Sequence, residues 1–378
     1  MIKKTTVVCS FLLLMLLLVL TSCGSDMEGL TGIQGRYDAC WSGNTYFYIG
    51  TSAVGSDKIR FQRIDNIQET GLPVYSNLLS EGEDPFADVA TFSYIMEDPW
   101  ATERNDGLPV LILIASYWQT ATEPARQAIL SYNTATNKVT TIVENYNPMG
   151  SKGFFLYGDI LYYTTDDGDQ GVNVNRINVD GSNHSRMENP NGDSYTLLSV
   201  SDGTLYYAND NERVVYASAL DFSNERKVAE NVHPWYMATV CGEYFYYPTQ
   251  EVNEATSYLS LYRVRTDGTG EPELVLTEVA VGAPMNGVYY YYPLDNMVTI
   301  THRGHEMKHI QTKLYAYDLK TGETRLIYDI DNDYLLQVYT CVNDRYIMLT
   351  VSDLLAGEAY SYMICVDLET LETVKVPY

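Results

Sequence analysis

Gly242-Glu243-Tyr244-Phe245-Tyr246-Tyr247 is one copy of a phrase that the chain repeats seven times. The other clear copies are Gly158-Asp159-Ile160-Leu161-Tyr162-Tyr163, Gly203-Thr204-Leu205-Tyr206-Tyr207 and Gly287-Val288-Tyr289-Tyr290-Tyr291-Tyr292, with looser ones near Gly43, Gly107 and Asn343. In each, a turn pair leads into an aromatic run, a polar loop follows, and a second β-run closes on a turn. The aromatic runs open near residues 44, 108, 159, 204, 243, 288 and 344. The shortest interval is 39 residues, so the core of the unit is about forty, the size of a four-stranded blade. The pattern predicts an all-β fold, a seven-bladed β-propeller of four-stranded antiparallel blades over residues 36–378.

The best-resolved copy predicts runs at 195–200, 204–208, 213–220 and 225–229. The next predicts 235–240, 243–247, 258–265 and 272–276, and the sixth begins a separate strand at 278–283. These runs are rich in Tyr, Val, Leu, Ile and Thr, which suit a pleated, half-buried surface. Asp180-Gly181, Asp267-Gly268 and Thr321-Gly322 stand between the third and fourth runs, where a tight hairpin needs positive backbone angles. Surplus chain falls at 77–88, 97–107 and 295–311. Because binding concentrates on such loops, these inserts are where a site is expected. The folded part begins and ends with strand runs, Arg36–Cys40 and Thr370–Val376, which are expected to meet in one sheet.

The N-terminus reads as a processing signal. Lys3 and Lys4 precede an apolar run at 7–20 that is too short for a membrane span. Leu20-Thr21-Ser22-Cys23 resembles the lipobox of bacterial lipoproteins. That resemblance implies cleavage before Cys23, acylation (palmitate or a similar chain) of its thiol, and an extracytoplasmic, lipid-anchored location on a cell or outer membrane. Residues 1–22 are then a signal peptide and 23–35 a flexible tether.

The chain carries 24 basic and 49 acidic side chains, a net charge of −25. Such a surface repels phosphate backbones, so no nucleic-acid partner is expected. Cys40, Cys241 and Cys341 recur just before the turn that opens an aromatic strand, and read as small buried hydrophobes. Cys341 and Cys365 share one repeat and are the pair that a disulfide could join. Most of the 34 tyrosines fall on repeated strand positions and are expected to fill the gaps between blades; Trp100, Trp118 and Trp235 are the better candidates for an exposed platform.

His305-Glu306-Met307-Lys308-His309 has the H-E-x-x-H spacing of zinc metalloproteases, which works when a helix places both histidines on one face. Residues 303–311 are the one stretch with room for a short helix. No third ligand follows at a familiar distance, so His302, His305 and His309 are weak metal candidates and the preferred reading is a solvated, locally basic loop. Asp166-Asp167-Gly168-Asp169 and Asp329-Ile330-Asp331-Asn332-Asp333 offer oxygens for calcium. The second lacks the Gly and Glu of a calcium loop, and polar turns explain both. There is no G-x-S-x-G elbow, and His184 and His233 are isolated. The residues therefore name no catalytic group and no cofactor.

Ile160–Ser182, Leu205–Asp221 and Tyr244–Thr269 pair an aromatic strand with one ending near Asp-Gly. In this they resemble bacterial lipoproteins with a low-density-lipoprotein-receptor-related-type propeller. The Tyr-Trp-Thr-Asp tetrapeptide of the receptors is absent; Tyr162-Tyr163-Thr164-Thr165 and Tyr206-Tyr207-Ala208-Asn209 stand nearest to it. The resemblance implies the fold and no assigned reaction. The expectation is a monomeric, non-enzymatic scaffold, held at the membrane by lipid on Cys23, that binds a protein or a glycan. The alternative is an extracellular hydrolase or lyase acting on a polymer, metal-assisted through the 302–309 histidines.

Overall fold

The structure is a computed structural model that describes residues 33–34, 39–43, 45–51, 57–63, 86, 88–104, 109–117, 126–147, 154–232, 237–252, 257–294, 297–302, 305–311, 313–329, 334–353 and 360–376. Among these residues the fold is almost entirely antiparallel β-sheet, built from consecutive strands. The first unit comprises Ala39–Ser42, Thr45–Thr51 and Asp57–Arg63. The second has four strands: Val89–Glu97, Val110–Tyr117, Arg126–Asn133 and Lys138–Tyr146. The third runs Phe154–Tyr157, Ile160–Asp166, Val172–Asn178 and Ser185–Arg186. The fourth runs Tyr195–Ser201, Thr204–Asn209, Val214–Ala219 and Arg226–Glu230, within a residue or two of the runs read from the repeat.

The fifth and sixth units are hydrogen-bonded into one sheet. Where the sequence suggested a break, Glu273–Met285 is a single strand with Glu278 at φ +55°. Its first half pairs with Ser257–Arg265 and its second half with Val288–Pro293. It thus closes a unit begun by Thr239–Cys241 and Tyr244–Val252 and opens one completed by Lys313–Asp318 and Thr324–Asp329. The last unit is Tyr334–Val342, Tyr346–Asp353, Tyr360–Asp367 and Thr373–Val376.

Strands alternate their faces with period two, so each sheet presents two apolar faces to two neighbours. The core is accordingly divided into clusters, each between successive units. Phe47 meets Leu113, Ile112 meets Phe154, Val174 meets Leu205, and Val215 meets Phe245. Leu261 then meets Tyr289, and Leu314 meets Ile347. Finally, Met348, Met363 and Cys365 of the last unit pack on Ala39, Trp41, Tyr46 and Tyr48 of the first. The tyrosines behave as expected: Tyr162, Tyr207, Tyr289 and Tyr292 are among the largest fully buried side chains.

Among the described residues the first and last strands of the folded part do not share a sheet, contrary to the sequence expectation. Thr373–Val376 pairs only within the last unit, and Ile33–Gln34, inside the stretch read as a tether, pairs with Phe154–Tyr157. First and last units are joined instead face to face: the Trp41 and Tyr346 rings stack at 6.0 Å, and the Asn343 amide donates to the Gly43 carbonyl at 3.0 Å.

Candidate functional site

Each unit carries one row of residues at the same register, two steps into the aromatic strand. In the third unit the row is Tyr162, Arg176 and Ser185. In the fourth it is Tyr206, Ala217 and Arg226, and in the fifth Tyr246, Arg263 and Glu273. In the sixth it is Tyr290, Ala316 and Arg325. Every one of these rows supplies a Tyr and an Arg, and at least one of the two reaches across to the following unit. The Tyr162 hydroxyl and the Arg176 guanidinium donate to the Leu220 carbonyl at 3.0 and 2.9 Å. Arg226 donates to the Thr266 carbonyl, Tyr246 to that of Leu319 at 2.7 Å, and Arg325 to that of Leu368 at 2.8 Å. All four acceptors are the first residue after the third strand of the receiving unit.

The second unit breaks this rule. Its row is Ile112, Ser131 and Thr140, with neither phenol nor guanidinium. The receiving half in the third unit is nevertheless intact. Val179 follows Val172–Asn178 as Leu220 follows Val214–Ala219, and the next residue is Asp in both. Both aspartates hold the same turn: Asp180 accepts from the Ser182 amide at 2.8 Å, and Asp221 from the Ser223 amide at 3.0 Å. Among the described residues no side-chain donor of the second unit reaches the Val179 carbonyl. A groove of about 460 Å³ opens here, with Ser131, Thr140, Val179 and Asp180 in its lining.

The insert at 97–107 forms one end of the groove. Asp98 is 2% exposed and accepts from the Ala101 amide at 3.0 Å, which makes it the N-cap of a short helix, α1 (Pro99–Arg104), with Pro at its first position. Trp100 of α1 packs against the cluster between the second and third units, so it anchors the insert and is not an exposed platform. Asp98 and Ala101 line the groove, and so do Lys138 and Asp159. Because antiparallel strands reverse at each turn, the loops after the first and third strands of both units lie on one face, and the groove is built from these loops. Beside it, Glu97 accepts from the Ser42 hydroxyl at 2.5 Å. Burial pushes the Glu97 carboxyl above its usual range, the Ser42 hydrogen bond opposes this, and the neighbouring Asp98 charge adds to it. The groove's titratable lining is thus three carboxylates and one ammonium.

The other sequence candidates are placed elsewhere. His302 and His305 are register partners in a hairpin of strands Met297–His302 and His305–Gln311, so no helix forms there. Positions 305 and 309 are four strand residues apart, roughly 13 Å, whereas a helix would bring them to about 6 Å. His309 is also skipped in the register between Val298↔Ile310 and Thr299↔Lys308. The short-helix expectation and the metalloprotease geometry are both lost. No group of three potential metal ligands occurs among the described residues. Asp166 and Asp167 are occupied by the turn itself: Asp166 accepts from the Gly168 amide at 2.8 Å, and Asp167 pairs with Arg186 at 2.9 Å and accepts from Asn173 at 2.7 Å. His184 stacks on Tyr163. Asp329 pairs with Lys313 at 3.8 Å. Cys341 and Cys365 lie on either side of Met348, two strand spacings or roughly 10 Å apart, beyond the reach of a disulfide. Cys40, Cys241 and Cys365 are in no disulfide. Cys23, the signal peptide, the insert at 77–88 apart from positions 86 and 88, residues 330–333 of the second acidic stretch, Trp118, His233 and Trp235 lie outside the described residues.

No protein-family model and no curated protein matches the chain. Solved structures do. The propeller domain of the Trilobed protease from Pyrococcus furiosus, described as having an open velcro topology, matches over 92% of this chain and 96% of its own at 11% identity and a TM-score of 0.55. The fold is a β-propeller. A prolyl endopeptidase matches over 93% of this chain and 50% of its own (13% identity, TM-score 0.56), and the acylaminoacyl peptidase of Pyrococcus horikoshii over 89% and 51% (13% identity, TM-score 0.51). The chain therefore spans about half the length of these two peptidases. The non-enzymatic reading of the sequence is corrected by these matches, since propellers of this shape are parts of peptidases. At such identities the likeness carries the fold and no reaction.

Proposed function

We propose that the chain is a seven-bladed propeller, tethered outside the cytoplasm by lipid on Cys23, that binds a ligand in the groove between its second and third blades. Seven successive inter-sheet clusters, the last joining the final unit to the first, support the blade number. The lipobox-like Leu20–Cys23 stretch supports the anchor and, with the aromatic-strand and Asp-Gly pattern, membership of the receptor-related lipoprotein group. The observation that carries the binding site is the groove itself. It is the one boundary, among those from the second unit to the last, where the acceptor half of a recurring inter-blade contact stands without its donor half. The residues around it are polar turns fixed by their own hydrogen bonds, which costs a ligand little reorganisation.

A second reading is favoured by the peptidase propellers: the blades select or admit a polymer to a hydrolytic site. The two separate in one experiment. Purified mature chain is assayed for hydrolysis of peptides and glycans, and for capture of ligands from the cell envelope, with and without Asp159→Asn and the groove-filling Ser131→Arg. Capture lost in the variants with no turnover supports the binding reading. Turnover that the variants abolish supports the hydrolytic one, and capture untouched by either substitution removes the groove as the site. Metabolic labelling with a fatty acid, lost in Cys23→Ser, tests the anchor.

A further inference from the structure

The groove reading leaves the ligand's chemistry open, and the internal repeats supply it. Resting on that reading, we infer that the groove receives a guanidinium group, the side chain of an arginine presented by a partner polypeptide.

The argument compares one boundary with the next. Between the third and fourth units, the Arg176 guanidinium donates to the Leu220 carbonyl, and the Asp221 charge acts on the same polar cluster through Arg176 and Tyr162. Between the second and third, Val179 and Asp180 occupy the positions of Leu220 and Asp221, but Ser131 stands where Arg176 does and Ile112 where Tyr162 does. Shortening Arg to Ser removes a side chain that fills this space elsewhere, while Ile112 stays buried in the apolar cluster beneath. What remains is a cavity of about 460 Å³, within the range of ordinary ligand sites.

Charge points the same way. Asp159 and Asp180 line the groove with one ammonium, Lys138, and Asp98 lines it from its buried helix-capping position. An anionic ligand is repelled, and no three of these carboxylates converge as a metal would require. A planar guanidinium with five donors suits separated acceptors on one rim better than a compact ammonium does. The apolar wall of Ala101, Val110 and Val179 suits the methylene stem of an arginine. The partner thus completes from outside the contact that Arg176, Arg226 and Arg325 make from within.

The test uses the mature chain and short acetylated, amidated peptides carrying one Arg, Lys or citrulline, with a neutral disaccharide as comparison, followed by titration calorimetry. The Arg peptide is expected to bind at least about tenfold more tightly than the Lys or citrulline peptide. Filling the groove from within, by Ser131→Arg, is expected to abolish binding while the thermal midpoint holds or rises. The milder Lys138→Gln, at an exposed position, is expected to tighten binding by removing the competing cation. Equal binding of all peptides, or none at millimolar concentration, overturns the inference. If the disaccharide binds and the filled variant loses it, the guanidinium is wrong and the groove is right. If the Arg peptide binds both forms alike, the groove itself is wrong.

Discussion

The boundary between the second and third units and the boundary between the third and fourth are built on the same backbone register, yet one is open and the other shut. At the shut boundary a Tyr–Arg pair bridges two sheets to one carbonyl, Leu220. At the open one Ser131 stands in the place of the Arg, and a groove opens over Val179. A third solution appears where the last unit meets the first. There Met348 takes the Tyr position, and the contact is an aromatic stack, Trp41 on Tyr346, with a single amide bond from Asn343. Sheet-on-sheet burial alone is therefore enough to hold a boundary. The Tyr–Arg bridge is an added polar fastening, and its omission between the second and third units creates space without breaking the core.

This comparison is most directly broken at the closing boundary. Trp41→Ala removes the largest ring from a contact that has no strand pairing behind it. The expected loss is about 3–5 kcal/mol in denaturant unfolding, with an earlier transition at the first unit if probes are placed there. If Trp41→Ala costs no more than about 1 kcal/mol, the ring is closed by something other than this face.

The fastening itself is sharpened by Tyr246→Phe. The hydroxyl donates to the Leu319 carbonyl in a buried setting, so its loss leaves an acceptor unsatisfied and is expected to cost about 1–3 kcal/mol. Tyr162→Phe is expected to cost less, because Arg176 still donates to the Leu220 carbonyl. Equal costs at the two sites would show that Tyr and Arg do not share the acceptor. Smaller again is Asp98→Ala at the open boundary: loss of the N-cap of α1 is expected to cost about 1 kcal/mol.

These contacts also mark how far the sequence could be read. The strands of the fourth unit were legible to within two residues because turn chemistry and aromatic periodicity agree there. The sites of chemistry were less so. Ser131 is unremarkable in sequence, and its equivalence to Arg176 exists only through the pairings Ile112↔Ser131 and Tyr162↔Arg176. His305 and His309 misled for the converse reason: a helical spacing is meaningless until the period of the backbone is known, and here it is a strand. The insert at 97–107 was visible as surplus chain, but not that Trp100 would turn inward and Asp98 would cap a helix.

The smallest expected effects separate two carboxylates, buried Asp367 and half-buried Glu97, by the sign of their pH dependence. Asp367, in the last unit, is pushed up by burial, but the amides of Glu369 and Thr370 and the Arg345 guanidinium outweigh this and hold it below its usual value of 3.8. The unfolded chain then binds the proton more readily than the native one. Asp367 contributes stability that is present above pH 3.8 and is lost as pH falls through its native value. Glu97, beside the groove, is the reverse case. Its native carboxyl titrates above its usual 4.5, so the native state holds the proton longer and stability falls as pH rises from 4.5 through the native value. Glu97→Gln keeps an acceptor for the Ser42 hydroxyl and removes the buried charge. Subtracting the variant's stability-versus-pH curve from that of the natural chain should therefore show a decline that begins near pH 4.5 and levels off above the native value. For Asp367→Asn the same subtraction should show a rise that is complete by about pH 4.5. A Glu97 difference curve that rises with pH would mean that Ser42 stabilises the carboxylate more than burial penalises it. The open boundary would then be the more polar of the two at its base as well as at its rim.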